Sequence, residues 1–95
     1  MYDDFVAATR TRASRGFALA EQATIQVRVA EAAAEIDAAR LLIARDCRAA
    51  MASIRTHGAL TLEERARNRR DMAYVVKLCA QAADRLYAAT GGAGL

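Results

Sequence analysis

The chain has 95 residues, a net charge of +3, and a composition 55% hydrophobic and 26% charged. That size allows one small domain, and that balance excludes a disordered chain. There is no proline, which fits long helices with few loops.

The opening, MYDD, lacks the basic region and apolar core of a signal peptide. No apolar run is long enough to span a membrane. From Tyr2 to about Ala13 the pattern predicts a short amphipathic helix. Phe5, Val6 and Thr9 share a face, and Asp3 and Asp4 sit at the end that favours negative charge. Ser14-Arg15-Gly16 reads as a break, and residues 17–22 as a connector or the start of the next helix. Gln22 then falls just before that helix, in register for its unpaired N–H groups.

A second helix is predicted over about 23–56, about 50 Å long. Ile25, Val29, Ala32, Ile36, Ile43, Cys47, Ala50 and Ile54 recur at helical spacing. Glu31 and Glu35 read as ordinary surface ion pairing. Arg40 sits beside the apolar stripe and needs a carboxylate; Asp71 and Asp84 on the next helix are the available partners. His57 and Gly58 end the helix, with Gly58 in the left-handed position past the C-terminus.

Thr61-Leu-Glu-Glu64 reads as a capping box opening a third helix over about 61–90. Its apolar positions are Leu62, Ala66, Met72, Val75, Val76, Cys79, Ala83 and Leu86. Arg65, Arg67, Arg69 and Arg70 cluster near its start. Acidic residues interrupt them and no aromatic interleaves, so nucleic-acid binding is not expected. Cys47 and Cys79 fall in apolar patterns and read as reduced core thiols of a cytoplasmic protein. The end, YAATGGAGL, offers Gly91, Gly92 and Gly94, whose bare backbone could lie against a diphosphate or close a helix.

The expected fold is therefore all-α: a short N-terminal helix plus a long antiparallel helical hairpin. Stripes this wide want further helices, so the hairpin reads as part of a four-helix up-down bundle, completed by self-association or by sequence outside these residues. No metal set, phosphate loop or catalytic triad is present in the sequence, and no catalytic residue is assigned.

The segment VRVAEAAAEIDAARLLIARD, Val27 to Asp46, resembles the first long helix of the C-terminal domain in the acyl-CoA dehydrogenase superfamily. LEERARNRRDMAYVVKLCAQAADRLYAATGGAGL resembles the following helix and its exit loop. DDFVAATRTRASRG, RRDMAYVV and LYAATGGAGL together are most similar to the flavin-dependent aromatic monooxygenase branch. The resemblance implies that residues 1–95 are part of such a helical domain, from a larger enzyme. It implies a flavin, FAD or FMN, in the parent, not held tightly by these residues alone. It implies flavin contact at Arg15, Gly91, Gly92 and Gly94. It further implies a homo-oligomer, a tetramer in the parent and a dimer or higher for the hairpin alone, with a flavin reductase as partner. An acyl-CoA dehydrogenase parent and a stand-alone self-association module remain the alternatives.

Overall fold

A computed structural model describes residues 2–91, with side chains from residue 6 onward. It contains two helices, α1 over Tyr2–His57 and α2 over Leu62–Ala89. They pack as an antiparallel hairpin. The side chains of Asp3, Asp4 and Phe5 lie outside the described residues, as do Gly92 and Gly94 altogether.

The break expected at Ser14-Arg15-Gly16 does not form. α1 runs through it and through residues 17–22 as one helix of 56 residues. The energetics explain this. A glycine inside a helix costs about 1 kcal/mol relative to alanine, and serine costs less. The flanking alanines, arginines and leucines are strong helix formers, and no proline intervenes. Thr11 and Thr24 turn their hydroxyls back onto the carbonyls of Ala7 and Ala20, at 3.0 Å each. Gln22 is thus mid-helix, where its neighbouring N–H groups are already bonded.

The turn forms as the residue types demand. Gly58 takes φ of +78°, and its N–H reaches the carbonyl of Ile54 at 2.8 Å. Thr61 Oγ1 accepts from the Glu64 N–H at 3.1 Å, and Glu64 Oε1 accepts from the Thr61 N–H at 3.2 Å. The capping box is complete.

The seam between the helices differs from the expected stripes. Its buried apolar residues are Ala32, Ala39, Val75, Leu78 and Ala82, with Ala38 and Leu42 packed against them. Of the positions expected to face the core, only Ala32 and Val75 are buried; Ile25, Ile36 and Ala50 are half-buried. Val29, Ile43, Ile54, Met72 and Val76 are exposed, and so are Cys47 and Cys79, both free thiols. Small residues allow the two backbones to approach closely. The larger apolar side chains are left on an adjacent, open face.

The molecule is a rod of 84 × 21 × 18 Å, with a radius of gyration of 23.2 Å. A compact chain of this length would have a radius near 12 Å. α2 is half the length of α1 and ends level with Thr24 to Arg28. The first 20 or so residues of α1 therefore project about 30 Å beyond it. No helix among the described residues is long and apolar enough to cross a membrane.

Candidate functional site

The stretch of interest lies where α2 stops. Thr90 sends its N–H to the Leu86 carbonyl at 3.0 Å and its hydroxyl to the Tyr87 carbonyl at 2.9 Å. Gly91 follows with φ of +65°, its N–H on the Ala88 carbonyl at 3.2 Å. The first glycine of the GGAG run is therefore a helix stop of the left-handed kind. A Cβ built on Gly91 would meet nothing within 4 Å, so its bare backbone faces open space.

Beside this stop, α1 and α2 form a shallow groove of about 410 Å³. Phe17, Glu21, Thr24 and Arg28 line it from α1, and Ala88, Ala89 and Gly91 from α2. Arg28 Nη1 donates to the Ala88 carbonyl at 3.4 Å. A cation beside the carbonyls at a helix C-terminus is favourable. Phe17 is 73% exposed, so the groove offers an aromatic surface, a guanidinium and open backbone.

Arg15 is exposed on the projecting part of α1. It lies about 15 Å along the helix from the Ile25 level where Gly91 sits. The hairpin does not bring Arg15 and Gly91 together. Arg28, which sequence reasoning passed over, is the arginine at the groove.

Further along the hairpin, charged side chains tie the helices together. Arg85 holds Glu31 and Glu35 at 2.7 Å each. Arg45 Nη2 donates to the buried Asp71 carboxylate at 2.7 Å, and Arg70 reaches the same group at 2.9 Å. Asp46, also buried, takes Arg45 at 3.3 Å and Arg67 at 3.7 Å. Ser53 donates its hydroxyl proton to Glu64. The Asp71 carboxyl is held below the ordinary carboxylate value, first by hydrogen bonding with the Asp46 carboxyl and then by Arg70 and Arg45. Arg45 is correspondingly raised, first by Asp71 and then by Asp46. Glu64 is lowered, first by the Ser53 hydroxyl and then by the Thr61 backbone and hydroxyl.

An inter-helix pair was expected at Arg40 with Asp71 or Asp84. Asp71 pairs instead with Arg45, because Arg40 lies on the other side of the seam. The signal for the true partners was the hairpin register. With the turn at Gly58, each step back along α1 matches one forward along α2, which sets Ser53, Arg45 and Glu31 opposite Glu64, Asp71 and Arg85. Two of the four clustered arginines, Arg67 and Arg70, are committed to these carboxylates. Among the described residues, no group of three or more His, Cys, Asp or Glu is placed to hold a metal ion.

The family model described as Acyl-CoA dehydrogenase, C-terminal domain, matches residues 1–95. The chain belongs to that family. It is also similar to the oxygenase component of an FADH(2)-dependent resorcinol hydroxylase from Rhizobium sp. (strain MTP-10005), 37% identical over 81 residues. That match covers 81% of this chain and 20% of the relative, so the family domain seen here spans about a fifth of that relative's length. No solved structure matches the chain.

Proposed function

We propose that this acyl-CoA dehydrogenase-type hairpin is one wall of a larger flavin-dependent monooxygenase acting on an aromatic substrate. The observation that carries the reading is the 37% identity to a reduced-flavin-dependent oxygenase component over most of the chain. In the parent the hairpin supplies two helices of a four-helix up-down bundle. Its open apolar face and its projecting α1 support packing into a homo-oligomer, a tetramer. A flavin reductase supplies the reduced cofactor, and the location is cytoplasmic.

The groove at the α2 exit supports the choice of ligand. Gly91 leaves its backbone uncovered by a side chain, and Arg28 supplies positive charge beside it. Arg15, about 15 Å along α1, would reach a more distant part of the same cofactor, and the sequence continues past Gly91 with two further glycines, Gly92 and Gly94. These residues would bind the flavin's phosphate and ribityl portion, and Phe17 would shield an aromatic ring from water. FAD or FMN, when bound, supplies the redox chemistry. The residues of this chain hold and orient it, and none acts on the substrate.

A second reading, an acyl-CoA dehydrogenase parent, draws support from the family's own description. One assay separates the two. The longer protein is given chemically reduced FAD and oxygen with a phenol, or an acyl-CoA thioester with an electron acceptor. Hydroxylated phenol, with no thioester oxidation, is the expected outcome. Thioester oxidation alone would contradict the monooxygenase reading.

A further inference from the structure

The groove beside Gly91 has an order along its length. Phe17, Glu21, Thr24 and Arg28 line it from α1, one or two turns apart in succession. Their spacing sets them on one face of the helix, about 16 Å from end to end. An aromatic ring stands at one end and a guanidinium at the other, with a carboxylate and a hydroxyl between them.

The hydrogen-bonding capacity of these groups follows the same order. Thr24 donates its hydroxyl proton to the Ala20 carbonyl at 3.0 Å, which leaves its oxygen as an acceptor. Glu21 is exposed, and its carboxylate is in no ion pair or hydrogen bond among the described residues. The side chains in the middle of the groove therefore accept and do not donate. Arg28 is the reverse. It gives one N–H to the Ala88 carbonyl at 3.4 Å, and its other N–H groups can only donate. The backbone N–H groups at the helix stop are already committed, Thr90 to Leu86 and Gly91 to Ala88. Arg28 is thus the anion-binding group of the groove among the described residues, and it lies about 10 Å along the helix from Glu21.

This arrangement selects what can lie where. A phosphate is attracted at Arg28 and repelled at Glu21. Glu21 and Thr24 call for hydroxyl donors, and a carboxylate can take both protons of a sugar diol. Phe17, 73% exposed, offers a ring face about one turn further on. We infer that Glu21 is the acceptor for the hydroxyl-bearing segment that joins the ring of the ligand to its phosphate. Glu21 thereby sets the ligand's direction, ring at Phe17 and phosphate at Arg28. The inference rests on the flavin reading and deepens it. The shared chemistry is a polyol between a flat ring and a phosphate, and both the ribityl and the ribose portions of a flavin dinucleotide have it.

The test is equilibrium binding to the longer protein. FMN and its 2′-deoxyribityl analogue form one probe pair, and ADP and 2′-deoxy-ADP the other. Glu21 is exposed and alanine is the better helix former, so Glu21→Ala keeps α1; circular dichroism checks this. In one pair, the deoxy probe is expected to bind wild type about tenfold more weakly than its parent. Glu21→Ala is expected to weaken the parent by about as much and to remove the difference. The pair that responds tells ribityl from ribose. An acid without this role gives the opposite sign, because removing a negative charge beside an anionic ligand leaves its affinity unchanged or raises it. That result, or a deoxy penalty that persists in Glu21→Ala, would overturn the inference. Arg28→Ala separates this from a failure of the flavin reading. Weaker binding of FMN or ADP on Arg28→Ala, with no loss on Glu21→Ala, overturns the inference alone. No loss from either variant overturns the groove as the flavin site, and the inference with it.

Discussion

Asp71 is the residue on which the hairpin's alignment turns. It is 4% exposed, and a buried carboxylate persists only when paired. Arg45 and Arg70 pair it, and Asp46 lies beside it. Because its carboxyl is lowered in the folded chain, the folded state binds fewer protons than the unfolded state near that value. Its contribution is therefore present above the unfolded carboxylate value, about 3.9, and is lost as pH falls through the lower folded value. Glu64 acts in the same direction. Thermal melting followed between pH 6 and pH 2, a range of about four units around the carboxylate values, should show wild type losing stability below about pH 4. Asp71→Asn should melt lower at neutral pH and lose less on acidification. Parallel acid profiles for the two proteins would show that Asp71 is not the group involved.

At the scale of elements, the structure turns on which glycines stop a helix. Gly16 lies inside α1, where an added methyl group would meet nothing within 4 Å, whereas Gly58 takes φ of +78°. Gly16→Ala should stabilise the chain by about 1 kcal/mol, and Gly58→Ala should destabilise it by about 1 kcal/mol. Melting temperatures decide this; a loss of stability on Gly16→Ala would mean that α1 is interrupted there. The same contrast separates what the sequence discloses from what it hides. Gly58 and the Thr61–Glu64 cap are legible because each is a local device with its own residue signature. The continuity of α1 is not, since it rests on summed propensities over many residues that outweigh one glycine and one serine. The seam is hidden for a different reason. Helical periodicity marks apolar stripes but does not say which stripe meets which neighbour, and Ala39, Leu78 and Ala82 win over the bulkier Ile43, Met72 and Cys79. Of the groove, Gly91 is legible from its run of glycines. Arg28 is not, because only the antiparallel register sets it against the end of α2.

The whole molecule is a rod with exposed apolar side chains along it and a helix that extends well past its partner. Such a shape has little core of its own. Five buried apolar residues, three of them alanine, define the seam, and ion pairs on its other side fix the register. A chain built this way gains most of its stability from what packs against it. That agrees with a family domain that spans a fifth of a related oxygenase component. In the flavin reading the two ends of the rod differ in role. The turn end packs against neighbouring helices, and the Phe17–Gly91 end meets the cofactor together with the projecting Arg15.

The most direct test is the affinity of the longer protein for reduced flavin, measured by equilibrium titration for wild type and for Arg15→Ala. Arg15 is exposed, so its replacement leaves the helix intact. The account predicts about a tenfold weakening, the loss of one charge-assisted contact to an anionic cofactor. Unchanged affinity with full activity would contradict the assignment of this part of α1 to the flavin.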